Sequence, residues 1–426
     1  MFTTGAGIVK TSLRPDSRVA VVGGGPAGLA AAIAAASGGA EVLVFEQLPD
    51  AGRRLMATGG GHCNFTNTLG TDEFARRFGP GARFVLPALR ATDGAGLRAF
   101  FEGLGVPAHS PDGFHVFPKS NSAASVRDAL VQACGRLGVS FHFGACVRGL
   151  GVVDGRVVVV EAGAQREAVS AVVLAAGGAS RPELGGGKSG FALAGTAGHT
   201  IAEPCPALVP LVTGEQWPGT LAGLTVPMIE ARCEIAGGPT AVGKGPLLFT
   251  HRGVSGPAVL DISGTVAAAL KSHAAVPLLV DLAPDLSVEQ WRKAFDCARR
   301  EHGARVVLSV LRARFPVALA RVILDQAGVP ADTTMARASA AQIRTIISRI
   351  GALPMTVTGT DGMRHAMASR GGVATAEIDR KTLESKMVRG LFFAGEVIDV
   401  DGPCGGFNLH WAFASGLLAG AGAARR

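Results

Sequence analysis

Four apolar residues, Val19-Ala20-Val21-Val22, run straight into Gly23-Gly24-Gly25-Pro26-Ala27-Gly28, and few folds accommodate that junction. The apolar run reads as a buried strand that ends abruptly in glycine. Leu29 to Ala36 then reads as an alanine-rich helix, and Glu41 to Glu46 as a second strand ending on a carboxylate. The result is a βαβ unit of about 30 residues carrying G-x-G-x-x-G in its required context. Gly23 permits the tight turn, Gly25 lets the backbone approach a pyrophosphate, and Gly28 allows the helix to pack against the strand. Phosphates settle at the helix N-terminus, where free N–H groups and the helix dipole favour anions. Glu46, 18 residues beyond Gly28, is placed to accept from ribose hydroxyls. The pattern predicts a bound dinucleotide, and the adenosine end alone does not separate NAD from FAD.

The same grammar continues downstream. A helix is expected over Ala123 to Leu137 and a strand over Val139 to Val147, with a hairpin turning at Asp154-Gly155. Another buried strand, Val172 to Ala176, runs into Gly177-Gly178. Alternating strands and helices imply a mostly parallel sheet covered on both faces. From about residue 200 the pattern changes to prolines and short strand-like runs (PALVPLVT, TVPMIEARCEI, AVPLLVDL). Val288 to Ile350 is mostly helical. A buried strand (Leu391 to Ala394) and an apolar helix (Leu409 to Ala424) close the chain. A nucleotide-binding pattern that stops and resumes predicts one discontinuous domain, 18–198 with 351–426. An insert occupies 199–350, and a loose tail 1–17.

With 48% hydrophobic and 17% charged residues over 426 positions, the chain can bury a large core, which excludes global disorder. Lys and Arg number 41 against 33 Asp and Glu, a net charge of +8. The arginines read as scattered, so no nucleic-acid partner is expected. Seven dispersed cysteines without a C-x-x-C predict reduced thiols and no metal site. The N-terminal residues lack a signal-like apolar region, and no long apolar run suggests a membrane span. The expectation is a cytoplasmic protein with a small-molecule substrate and no membrane partner, its oligomeric state left open.

Further motifs cluster near the first. Gly52 to Asn67, GRRLMATGGGHCNFTN, follows Glu46 directly, and Gly59-Gly60-Gly61 would leave backbone amides uncovered against a planar ring. A second G-x-G-x-x-G, Gly185 to Gly190, lacks a strand before it. Pro182 also stands where a P-loop needs its first glycine, so a flexible loop near the site is expected. Leu391 to Gly416 reads as a strand ending at Gly395-Glu396 and a loop with Gly405-Gly406 that opens the last helix. Such a helix N-terminus would favour negative charge on a reduced flavin. His62, His251 and His410 fall in motif segments and are the candidate acid–base residues, each also readable as structural, with Ser255 beside His251 as a helix N-cap. Cys63 and Cys404 read as packing rather than redox residues.

GGGPAG, GRRLMATGGGHCNFTN, LLFTHRGVSGPAVLDIS and ESKMVRGLFFAGEVIDVDGPCGGFNLHWAFASG resemble the BaiN-like, aminoacetone-oxidase-like FAD-dependent oxidoreductases, from about Val19 to the C-terminus. The resemblance implies an α/β fold: a discontinuous Rossmann-type FAD-binding domain with an inserted β-barrel plus helical domain that caps the flavin. It implies that Gly23, Gly25, Pro26, Ala27, Gly28 and Glu46 hold the ADP half of FAD, with Gln47, Arg53 and Arg54 nearby and the Val147 backbone at the adenine. Gly59, Gly60, Gly61 and Asn64 would line the flavin, and Gly177 and Gly178 would close the middle. Gly395 and Glu396 would meet the ribityl–phosphate part, and Gly406, Asn408 and Leu409 the pyrimidine edge. The sequence departs from the family where His62 replaces an Arg, Arg181 a Tyr, and Lys188-Ser189-Gly190 a Gly-Asp-Gly, which leaves the substrate open. The implied activity moves hydride from NAD(P)H through flavin N5 to an activated C=C. The alternatives are an oxidase of a small amine and an RNA-handling flavoprotein.

Overall fold

The computed structural model describes residues 17–426. All of the expected tail but Ser17 lies outside them. Ser17 is not loose: it is buried, and its Oγ donates to Ala424 O at 3.3 Å.

The chain forms two compact units, one running to Pro206 and resuming at Met363, the other Ala207–Gly362. The second unit is thus shifted toward the C-terminus relative to 199–350. Pairing explains the shift: Ile201–Ala207 pairs with Ala368–Val373 in the first unit, while Leu353–Thr360 closes a barrel in the second.

The first unit is built on β1 (Arg18–Val22), α1 (Pro26–Ser37) and β2 (Glu41–Glu46). Its five-stranded sheet has the order Leu391–Phe393, Ala171–Leu174, β1, β2, Ser140–Phe143, every pair parallel. The stretch 139–147 is not one strand. It turns at Gly144-Ala145, and Val147–Val153 begins a separate antiparallel sheet with Arg156–Ala162. The Asp154-Gly155 turn has positive φ at both residues (48° and 70°), as a tight hairpin requires.

α1 is buried from Ala27 to Ala36, so it has no solvated face. The terminal helix Phe407–Ala423 lies against it with almost no gap. A Cβ on Gly416 would fall 2.2 Å from Ala27 O, and one on Gly420 2.2 Å from Ala31 O. Two glycines one helical turn apart therefore set this approach.

In the second unit six strands close a barrel in the order Leu211–Thr213, Gly253–Ser255, Ala241–Thr250, Thr225–Cys233, Val276–Asp281, Leu353–Thr360. Alternate residues of Ala241–Thr250 are buried, the period of a strand with one wet face. Ser255 does not cap the following helix: it ends a strand, and Gly256 precedes the helix Pro257–Ala269. Helices Val288–His302 and Ala340–Gly351 each begin with a reciprocal Ser/Gln capping box (Ser287 with Gln290, Ser339 with Gln342). Among the described residues no helix is long and apolar enough to cross a membrane.

Candidate functional site

The carboxyl ends of the parallel strands gather most of the expected cofactor residues. At β1 the turn is sterically closed: a Cβ on Gly23 would meet Ala175 O at 2.5 Å, and one on Gly28 would meet Gly23 O at 1.8 Å. Gly25 is different, because a Cβ there meets nothing within 4 Å. The α1 N-terminus has no side-chain cap and no acidic residue in its first turn. Its orphan N–H groups thus face open space, an arrangement suited to an anion. Glu46 is buried, and its Oε2 accepts from Gly24 N (2.7 Å) while Oε1 accepts from Leu48 N (2.8 Å). The carboxylate therefore stands beside the glycine turn. Ala145 N donates to Glu46 O at 3.0 Å, which carries the start of the Val147 strand to the same edge.

The expected flexible loop at Gly185 is tied in place. Gln47 Nε2 donates to Gly185 O (2.9 Å), and Gly187 N donates to Gly178 O (3.1 Å). A Cβ on Gly186 would sit 1.7 Å from Ser180 O. The helix that follows starts at Ser189 with no strand feeding the loop, so it is not a second dinucleotide turn.

A polar cluster joins segments far apart in the chain. The Arg54 guanidinium donates to Glu396 Oε2 (2.7 Å) and to Ser180 Oγ (2.6 Å). Glu396 Oε1 accepts from Ser369 N (2.7 Å) and Ser369 Oγ (2.8 Å). A Cβ on Gly178 would lie 2.3 Å from Glu396 Oε1, and one on Gly177 2.9 Å from the Arg54 guanidinium. These two glycines make room for the cluster. The Glu396 carboxylate is committed to protein donors, and the Gly395 backbone is committed as well: its N–H donates to Ser415 Oγ at 2.9 Å and its carbonyl accepts from Ile398 N at 3.2 Å. Arg53 instead pairs with Asp50 and stays half-exposed.

Around the terminal helix, Gly406 (φ 85°) presses on the Thr66 backbone, where a Cβ would be 2.6 Å from Thr66 O. This helix N-terminus also lacks a side-chain cap and an acidic first turn. The Asn408 amide braces the loop before it, accepting from Gly402 N and donating to Gly402 O, both at 2.8 Å, so its side chain holds the turn rather than reaching outward. Leu409 follows, half-buried. Gly59, Gly60 and Gly61 all have positive φ (55°, 64° and 91°), and a Cβ on Gly60 or Gly61 would come no closer than 4.0 Å to its nearest neighbour. Asn64 Oδ1 accepts from Val116 N at 3.3 Å, bringing this loop against the strand His115–Pro118.

The three candidate histidines separate. His410 is buried, its Nε2–H donates to Thr92 O (2.8 Å), and its Nδ1 accepts from Thr66 Oγ1 (2.7 Å). Burial pushes its pKa down to about 4, so it is a neutral packing residue and not an acid. His251 sits exposed in a turn of the barrel unit with no hydrogen-bond partner among the described residues to orient it. His62 is exposed beside the triple glycine, its Nδ1–H donating to Asn121 O at 2.9 Å. Cys63 is buried and its thiol pushed up to about 12, which removes it as a nucleophile. No disulfide joins any of the seven cysteines among the described residues.

Sequence reasoning passed over one pair. His115 Nδ1–H donates to Asp112 Oδ2 at 2.5 Å, and Asp112 Oδ1 accepts from the backbone N–H of Phe114 (3.0 Å) and His115 (2.8 Å). These donors hold the Asp112 carboxyl far below the usual carboxylate range. The D-x-x-H spacing was visible but belongs equally to an ordinary turn; only the fold sets it beside Gly405.

Two uncapped helix N-termini, a buried acid beside the first and open glycine backbone between them fit an extended FAD. The family described as HI0933-like protein Rossmann domain matches residues 17–422. The chain is 33% identical over 414 residues to a 3-dehydro-bile acid Δ4,6-reductase of Clostridium scindens, covering 96% of this chain and all of that protein. It is 30% identical over 401 residues to a ribosomal RNA dihydrouridine synthase of Haemophilus influenzae, covering 93% and 95% of the two chains. In fold it is similar to a flavocytochrome c3 fumarate reductase (TM-score 0.52, 18% identity, 97% of this chain and 79% of that one). The chain belongs to the HI0933-like Rossmann-domain family, the BaiN-like family of FAD-dependent oxidoreductases that its motifs resemble.

Proposed function

We propose that this chain saturates a carbon–carbon double bond conjugated to a carbonyl in a small organic acceptor, using NAD(P)H as hydride source. The observation that carries the reading is the end-to-end similarity to a Δ4,6-reductase of a 3-dehydro acid. Dihydrouridine formation by the other relative is the same chemistry, since the saturated bond of uracil is conjugated to a ring carbonyl. When bound, FAD supplies hydride transfer at N5. The chain's own groups then have separable tasks. The α1 N-terminus and Glu46 hold the ADP half, while Gly177 and Gly178 leave room for the Arg54–Glu396 pair beside it. The terminal-helix dipole favours the anionic end of a reduced flavin.

The test is anaerobic. NADPH or NADH should bleach the flavin, and a 3-oxo-4,6-diene bile acid should restore its colour. Neither nucleotide reducing the flavin, while a small amine does, would overturn this reading in favour of an oxidase.

A second reading places the double bond in a uracil of RNA. It is favoured by the charge of residues 287–351, which carry eleven Lys and Arg against five Asp and Glu, a net +6 within a chain of +8. Its test is RNA affinity that falls steeply with salt.

A further inference from the structure

The pair Asp112–His115 sits on the small sheet formed by Thr66–Asn67, His115–Pro118 and Ala108–His109. His115 stands opposite Asn67 in register, and Asn67 Nδ2 donates to Gly405 O at 2.8 Å. A Cβ placed on Gly405 would lie 3.7 Å from His115 Nε2 and 3.2 Å from the Phe114 ring. The imidazole is thus held next to the loop that opens the terminal helix. Nδ1 is spent on Asp112, and Nε2 has no hydrogen-bond partner among the described residues. The side chain is 39% exposed, enough to meet a substrate and to exchange protons with water.

We infer that His115 is the proton donor of the reductive step and that Asp112 is its positioning residue. This rests on the acceptor class proposed above. Reduction of a conjugated C=C requires hydride at the β-carbon and a proton at the α-carbon. Bound FAD would supply the hydride; once it is on the β-carbon, the π pair lies on the carbonyl as an enolate. The α-carbon then takes the proton from the Nε2–H of the His115 imidazolium, and the carbonyl re-forms. The imidazole is left neutral with its Nδ1–H still on Asp112, and water returns the proton. Asp112 accepts the Nδ1–H and so fixes the tautomer and the ring orientation, which keeps Nε2 as the unspent nitrogen.

The experiment compares two oxidants of the reduced holoenzyme. The dienone above needs a proton on carbon, whereas ferricyanide removes electrons without one. H115Q should slow reoxidation by the dienone about 100-fold and D112N about 10-fold. FAD content and reoxidation by ferricyanide should match the unaltered protein. If H115Q reacts with the dienone at the unaltered rate, the assignment is wrong. Ferricyanide reoxidising the unaltered protein where the dienone does not would defeat the acceptor class itself, and this role with it. A second readout needs no turnover: long-range proton–nitrogen NMR should find neutral His115 as the Nδ1–H tautomer, shifting toward Nε2–H in D112N. A resting Nε2–H tautomer in the unaltered protein would overturn the role of Asp112.

Discussion

The two carboxylates at the strand ends, Glu46 and Glu396, do different physical work. Glu46 meets backbone N–H groups, one in the glycine turn it follows and one two residues on. Glu396 meets a guanidinium and hydroxyls brought from 342, 216 and 27 residues away. One half of the site is local and written in a short motif. The other half exists only once distant segments have folded together. The glycines divide the same way. Some are glycines because another atom already fills the Cβ position, others because a ligand must approach.

That division is testable within a single motif, and here the largest effect is expected. Gly28→Ala drives a methyl onto Gly23 O and should cost at least about 3 kcal/mol of stability, with loss of bound flavin. Gly25→Ala meets open space, so the apoprotein should stay within about 0.5 kcal/mol of its parent. FAD affinity should nonetheless drop at least about tenfold, because the methyl stands where the pyrophosphate backbone contact forms. Thermal melts of the apoproteins and FAD titrations separate the two costs. Equal losses of apoprotein stability at both positions would erase the distinction.

Nearly as large an effect comes from His410, behind the second half of the site. A histidine whose folded pKa is about 4 and whose unfolded value is 6.5 favours the fold only through its neutral form. The unfolded chain binds the extra proton first, so stability is complete above pH 6.5 and falls as pH drops toward 4. The full loss is about 3 kcal/mol. H410Q should lack this component, so the difference between its denaturation midpoints and the parent's should shrink steadily from pH 7 to 4. Parallel pH curves for the two proteins would contradict a buried neutral imidazole.

Arg54→Ala probes the assembled half more gently. Its side chain and that of Glu396 are about four-fifths covered, so the pair is neither a free surface ion pair nor a fully buried one. Removing the cation leaves Glu396 with its serine donors, and a loss of about 2 kcal/mol is expected. A double-mutant cycle with E396Q should return most of that as coupling. Additive effects would mean that the two groups are merely neighbours.

These contrasts explain what was legible in the chain. β1, α1, β2 and the turn between them could be read directly, because strand period, glycine spacing and terminal acid all lie within about 30 residues. The barrel was legible only as a change of grammar plus a family resemblance. Its closing pairs, such as Leu211 with Thr360, join positions far apart in the chain. Ser369 and Asp112 carried no distinguishing signal, since a lone serine or an Asp three residues before a histidine has many innocuous uses. The pair Gly416 and Gly420 did carry one, yet small residues on an apolar helix look like ordinary composition until the neighbouring backbone is known. His410 is the opposite case: its motif position left both a chemical and a structural role open, and its two hydrogen bonds and burial make it part of the packing.

The smallest effect lies in the barrel unit, where a local device was readable and unread. Ser287-Val288-Glu289-Gln290 is a capping box: Ser287 Oγ accepts from Gln290 N at 3.2 Å, and Gln290 Oε1 accepts from Ser287 N at 2.8 Å. Ser287→Ala leaves one helix N–H unsatisfied at an exposed end where water can replace the lost partner, so the expected cost is about 1 kcal/mol. FAD affinity should not change, because the cap lies in the unit without the glycine turn. Denaturation followed by tryptophan fluorescence, run beside an FAD titration, checks both halves. A shift in FAD affinity without a shift in the melt would mean that the helical segment reaches the cofactor site by a route that local capping does not explain.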